Sequence, residues 1–193
     1  VSEKKTQQLK ISLQTSRLSL KDLTIADAAA LFQYRSLPEV TRFQGFSPAS
    51  EEEAVRFIEE DICHVFGQPD TWFQLGIFLR EEKTLVGDLG IHFLPGESTV
   101  EIGVTVAPRF QGRGIANEAV VCVVNFLFDT LHKSKVTASV DPENQKSMAL
   151  MNGIGFRLEG IYEKAVLFRG EWADDAVYEM TAEEWQKRTK HNL

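Results

Sequence analysis

The chain has 193 residues, 43% of them hydrophobic and 25% charged, which is ordinary for a globular protein able to bury a substantial core. Its net charge of −7 argues against nucleic acid as the main partner, since phosphate backbones are met by basic surfaces, and mildly favours cationic ones. The start of the chain is polar and opens no apolar signal segment, and the longest apolar run, Ala119 to Phe128, is too short to span a bilayer. A cytoplasmic location away from membranes is therefore expected.

Residues 1–15 read as a polar N-terminal arm and residues 16–193 as one domain, because no repeat, low-complexity tract or Pro/Gly-rich linker divides them. Leu18, Leu20 and Leu23 mark a first strand, and a helix follows near Asp27 to Arg35. Ser47-Pro48 places a capping residue before a proline at a helix start, and Ser50 with Glu53 matches a capping box. Ala54, Ile58, Ile62 and Val65 continue that helix at helical spacing, with an acidic, solvated outer face. Trp72 to Arg80, Leu85 to Leu94 and Thr99 to Val106 are expected as three consecutive strands joined by polar turns. Ile115 to Leu131 reads as a long helix, Lys135 to Val140 as a strand and Asn144 to Ile154 as a short helix. Leu158 to Phe168 and Trp172 to Met180 form a hairpin about Arg169-Gly170-Glu171, and Thr181 with Glu184 caps a final helix. The order predicts a mixed α/β sheet with helices on both faces.

Chemistry concentrates where the strand ending at Val106 meets the helix opening at Ile115. Gln111-Gly112-Arg113-Gly114-Ile115-Ala116 is a basic, glycine-containing loop between them. The unpaired N–H groups of a helix N-terminus converge with those of the loop, and the helix dipole adds positive potential, so the arrangement suits a pyrophosphate. Arg109 and Arg113 are placed to add full charges. A dinucleotide fold needs a third glycine, where Asn117 stands, and a βαβ setting that the preceding hairpins do not provide. A tight turn that binds nothing is the bland alternative.

The loop has the pattern Gln/Arg-x-x-Gly-x-Gly/Ala, with Gln111, Gly114 and Ala116 in the three defining positions, and resembles the acetyl-CoA loop of the GNAT N-acetyltransferases. Asn144, Ser147, Gly155 and Phe156, on and just after the helix behind Val140, resemble the second signature of that family. Thr15 to Leu20, Glu101 to Val104, Asn117 to Ala119 and Tyr178 to Met180 resemble the branch that acetylates ribosomal-protein N-termini, the RimJ/RimL type. The resemblance spans about residues 16 to 186. It implies a GNAT-like, mostly antiparallel sheet with a cofactor cleft between its fourth and fifth strands.

It also implies roles residue by residue. Gln111, Gly112, Arg113, Gly114, Ile115 and Ala116 would hold the pyrophosphate, and Val104 and Val106 would pair with the pantetheine arm as with an added strand. Asn144 would meet the cofactor from the far side, although its position equally fits a helix N-cap. Met151 stands where many members carry a tyrosine acid, and Ser147, one turn earlier on the same face, is the expected donor to the departing sulfur.

The implied reaction, attack of an amine on a thioester, needs a proton acceptor, an oxyanion donor and a donor to the thiolate. Alternation places Glu101, Gly103 and Thr105 on one face of their strand, opposite Val100, Ile102, Val104 and Val106. A carboxylate beside a glycine is poor core material, which makes Glu101 the candidate base, with a salt bridge beneath the cleft as its structural alternative. If the Pro95–Ser98 turn pairs Leu94 with Thr99, His92 lies opposite Glu101 and can tune it or relay its proton; a one-residue slip would destroy the pair. The strand histidine is otherwise a packed side chain.

Three functions follow: an acetyl-CoA-dependent acetyltransferase acting on a protein N-terminus, the same chemistry on a small amine, or an acyl-CoA-binding protein without catalysis. His64, His92, His132 and His191 show no metal-ligand spacing, and Cys63 and Cys122, in apolar helical patterns, read as buried reduced thiols.

Overall fold

A computed structural model of the chain describes residues 11–96 and 98–191. Eight strands form one sheet: β1 (Ser12–Gln14), β2 (Leu18–Asp22), β3 (Thr71–Leu79), β4 (Leu85–Phe93), β5 (Thr99–Val106), β6 (Lys135–Val140), β7 (Arg157–Phe168) and β8 (Glu171–Thr181). Their order is β1-β2-β3-β4-β5-β6-β8-β7, and every neighbouring pair is antiparallel except β5 and β6. The helices are α1 (Ala28–Arg35), α2 (Pro38–Thr41), α3 (Glu51–Arg56), α4 (Ile115–Asn125), α5 (Gln145–Ile154) and α6 (Ala182–His191).

Strand alternation splits the sheet into two unlike faces. Phe73, Leu75, Leu89, Ile91, Val100, Ile102, Val136, Ala138, Ala176 and Tyr178 point to one side and make the main core with Val120 and Val123 of α4 and Ile154 of α5. The opposite face is apolar only at its β2–β4 end. There Leu31 of α1 and Ala54 of α3 pack with Phe78 and Leu85. Toward β6 and β8 that face is polar, carrying Thr137, Ser139, Asp175 and Glu179, with Ser139 exposed and Asp175 buried.

Local chemistry explains most element ends. Thr181 Oγ1 accepts from Glu184 N (3.2 Å) while the Glu184 carboxylate accepts from Thr181 N (2.8 Å), a complete capping box. The β7–β8 turn places Arg169 at φ 51° and Gly170 at φ 85°, the double left-handed geometry of a two-residue hairpin loop.

Several expectations need correction. Ser12–Gln14, placed in the polar arm, pairs with β2 as an edge strand, while residues 1–10 lie outside the described residues. Pro48 does not start a helix; Ser50 is the N-cap, accepting from Glu53 N at 3.3 Å, and Glu53 reaches back to Ala49 N rather than to Ser50. The helix does not continue to Val65. After α3 the chain widens into one π-helical segment, Phe57–Asp61, and becomes extended at Ile62. Cys63 N then donates to Trp72 O (2.9 Å), so the strand edge claims backbone that the apolar spacing assigned to the helix. Val65 is left 49% exposed. α4 likewise ends at Asn125 and passes into a π-helical segment, Phe126–Thr130. Both cysteines are free and half-buried rather than fully buried, and Cys63 is outside any helix. No described helix is long and apolar enough to cross a membrane.

Candidate active site

The site arises where the sheet comes apart. β5 and β6 pair only over Thr99–Glu101 and Lys135–Thr137; beyond Glu101 they splay. The opening is a cavity of about 180 Å³, with Glu101, Gly103 and Val104 on one wall and Ser139, Asn144, Ser147 and Met151 on the other. Phe43, Gln44 and Trp72 close one end. This is the cleft expected between the fourth and fifth strands, which are β5 and β6 once the N-terminal edge strand is counted.

Alternation of the β5 backbone fixes what the open edge offers. Ala107 N donates to Val86 O of β4 (2.9 Å), so Val106, one residue earlier, turns its backbone the other way. Val106 O indeed accepts from Gln111 Nε2 (3.0 Å), and Val100 O from Thr137 Oγ1 of β6 (3.4 Å). Ile102, Val104 and Val106 therefore aim their backbone groups at the splayed side. Among the described residues Val104 has both groups there without a strand partner, while the Val106 carbonyl accepts from Gln111.

At the loop, Gly112 (φ 72°) and Gly114 (φ 74°) adopt the left-handed conformation, and Gly114 is the N-cap of α4. Gln111 does more than lend its backbone: its side-chain Oε1 accepts from Lys146 Nζ of α5 (3.1 Å), tying the two banks of the cleft together. Arg109 and Arg113 both lie against the Phe110 ring, at 4.8 and 5.4 Å. Behind the loop, Arg17 Nη1 donates to Arg113 O (3.1 Å) and its Nε to Glu118 (2.7 Å). Burial raises the Glu118 carboxyl, but hydrogen bonds from Thr15 and Arg17 outweigh it and hold it below the ordinary value.

On the far bank, Asn144 is the N-cap of α5, its Oδ1 accepting from Ser147 N (3.1 Å). Among the described residues its amide N–H₂ has no hydrogen-bond partner. Ser147 and Met151 both line the cavity, and the Ser147 hydroxyl has no hydrogen-bond partner among the described residues.

The register puts His92 opposite Glu101, as the short turn required. Nδ1 of His92 lies 3.7 Å from Glu101 Oε2, and the Trp72 ring stacks on the imidazole at 4.9 Å. Trp72 passes over Gly90, where a Cβ would meet its ring at 2.8 Å, so glycine there is what admits the indole. Burial raises the Glu101 carboxyl above its usual range, His92 opposes this, and the charge of Asp175 adds to it. Phe43 and Trp72 line the cavity, whereas Phe46 stacks on Phe57.

Sequence reasoning missed several groups here. Asp175 is buried on β8 and accepts from Ser139 Oγ (2.7 Å). Asp88, buried in β4, gathers Arg35, Tyr34 and Gln74, and Arg35 Nη1 donates onward to Gln44 (3.0 Å) at the cavity end. An acid inside the apolar alternation of Leu85–Phe93 was the one readable signal; the partners come from α1 and β3. No group of three or more metal-ligating side chains occurs among the described residues.

A parted parallel strand pair, a glycine loop on a helix N-terminus and a capped helix across the gap define an acyl-CoA transferase cleft. The GNAT acetyltransferase domain model matches residues 17–157, and the chain belongs to that family. It is an N-acetyltransferase with acetyl-CoA as acyl donor. It is 33% identical to the uncharacterized N-acetyltransferase YoaA of Bacillus subtilis over 168 residues, 86% of this chain and 94% of that one. It is 25% identical to the [ribosomal protein uS5]-alanine N-acetyltransferase of Escherichia coli over 122 residues, covering 62% and 63%. Among solved structures, the GNAT-family acetyltransferase of Bacillus anthracis superposes with a TM-score of 0.80 at 26% identity, covering 90% of this chain and all of that one.

Proposed function

We propose that the chain acetylates the α-amino group of a protein N-terminus by direct attack in a ternary complex. The observation that carries this is the position of Glu101 at the fork of β5 and β6, between the donor groove and the open polar sheet face. Exposed Gly103 and Ser139 line an approach that an extended chain can enter. The similarity to a ribosomal-protein alanine N-acetyltransferase supports the same acceptor class.

In this reading Gln111 to Ala116 cradle the pyrophosphate, Lys146 with Arg109 and Arg113 add charge, and the carbonyl of Val104, with the N–H of Val106, pairs with the pantetheine arm. The free amide of Asn144 meets that arm from the opposite bank. Bound acetyl-CoA supplies the electrophilic thioester carbonyl. Glu101 removes a proton from the arriving amine, and burial, which raises its basicity, suits it to the task. The Val104 N–H faces the developing oxyanion, and Ser147 donates a hydrogen bond to the departing sulfur.

A small amine is the second reading, favoured by the carboxylates Glu101, Asp141 and Asp175 around one end of the cleft. CoA release should be measured against peptides with free N-terminal alanine or serine, polyamines and aminoglycosides. Turnover confined to peptides supports the proposal, and turnover confined to small amines overturns it. Glu101→Gln should lower kcat by about 100-fold or more with acetyl-CoA affinity unchanged. Full turnover in that variant would remove Glu101 as base.

A further inference from the structure

A base at the floor of a cleft must pass on the proton it takes, and the structure provides an outlet. His92 stands between Glu101 and Asp70, with Nδ1 3.7 Å from Glu101 Oε2 and Nε2 3.6 Å from Asp70 Oδ1. His92 is the least exposed of the three at 18%, with Glu101 at 26% on the cleft side and Asp70 at 78% on the solvent side. The Trp72 ring is stacked on the imidazole with an interplanar angle of 12°, which sets the plane of the ring. Asp70 is also set in place deliberately. It adopts φ 59°, a left-handed conformation uncommon for a residue other than glycine, and its N–H donates to Phe93 O at 2.6 Å, beside the histidine.

We propose that Glu101, His92 and Asp70 form a proton exit from the amine end of the cleft to solvent, with Asp70 as the positioning residue of the imidazole. This rests on Glu101 being the base. The amine N–H proton passes to Glu101, Glu101 passes it to His92 Nδ1, and Nε2 releases its own proton to Asp70 or adjoining water. The imidazole ends as the Nδ1–H tautomer; between turnovers Nδ1 gives that proton to water in the emptied cleft and Nε2 regains one from solvent, so no charge accumulates. Both gaps exceed a direct hydrogen bond by about half an ångström, a distance that small side-chain rotations or one bridging water close. The other charged group that acts on Glu101 is Asp175 of β8; Trp72 of β3 faces His92 without charge.

The test uses the purified full chain and whichever panel amine turns over fastest, at low and high buffer concentration. His92→Ala should lower kcat about tenfold or more in dilute buffer, keep acetyl-CoA affinity, and recover as imidazole is added. Asp70→Asn, a surface change, should lower kcat about threefold in dilute buffer, with the deficit vanishing in concentrated buffer. Wild-type turnover by His92→Ala in every buffer, or a loss that neither imidazole nor buffer restores, overturns the exit. Should His92→Ala lose acetyl-CoA binding, Asp70→Asn decides: a deficit that buffer does not relieve, or no deficit, overturns it. Glu101→Gln separates the two proposals. If it stays active, the base itself is wrong; if it is silent and unrescued while His92→Ala is unimpaired, only the exit fails. Silence of the unaltered chain toward every amine overturns both.

Discussion

Glu101 is where sequence and structure bear on each other most directly. Alternation alone put it on the polar face of β5, and the turn length alone put His92 opposite it; both follow from the two-residue period of a strand. Its environment was not legible, because burial and the charge of Asp175 come from elements distant in sequence. Two consequences follow. Its folded pKa is raised, so its ionisation opposes folding. That contribution favours the folded state below the unfolded pKa and is lost as pH rises through the folded value. Glu101→Gln should therefore gain stability relative to the unaltered chain as pH rises from about 4 through neutrality. Parallel melting curves across that range would contradict the raised value. Asp175→Asn removes a negative charge that raises Glu101, so the acid limb of kcat/KM should move to lower pH. An unmoved limb would mean that Asp175 only packs.

At the scale of elements, the loop from Gln111 to Ala116 shows what short stretches of chain make legible. The spacing of Gln111, Gly114 and Ala116 was readable, and so was the N-cap role of Asn144, because both depend on short stretches of chain. A substitution at Gly114 would not crowd its surroundings. A Cβ there would meet only Arg17 Nη2, at an ordinary 3.5 Å, and the restriction is the φ of 74°. Gly114→Ala should cost about 1 kcal/mol of stability and weaken acetyl-CoA about tenfold, because right-handed geometry re-aims the N–H groups at the start of α4. Isothermal titration checks this, and unchanged affinity would remove the loop from the pyrophosphate site. What sequence spacing misjudged, the helix after Ser50, failed for a reason outside the helix: the pairing of Cys63 with Trp72. α2, only four residues long, is too short to carry a period at all.

On the scale of the molecule, the sheet divides labour between its faces, and one buried ion pair joins the acceptor end to the scaffold. Asp88 lies fully buried on the site-bearing face, where it accepts from Arg35 and Tyr34 of α1 and from Gln74 of β3. Burial and the neighbouring Asp88 charge hold the Tyr34 hydroxyl well above its ordinary pKa, so it stays a donor. Through Arg35 the cluster reaches Gln44, whose backbone carbonyl accepts from Arg169 Nη2 of the β7–β8 turn (3.2 Å). The segment after α2 is thus suspended between the sheet and the far hairpin, and Arg42 pairs with Glu143 (2.6 Å) across the cleft. That surface pair contributes little to stability. The buried one is different, because removing its anion strands a guanidinium away from water. Asp88→Ala should cost about 3–5 kcal/mol, a fall of roughly 10 °C in melting temperature for a chain of this size. Asp88→Asn, which keeps some of the hydrogen bonds, should cost less. Both should raise KM for the amine more than KM for acetyl-CoA, since Gln44 lies at the acceptor end and the donor loop is braced separately by Arg17. Equal increases in the two constants would show that the cluster supports the whole fold rather than the acceptor segment.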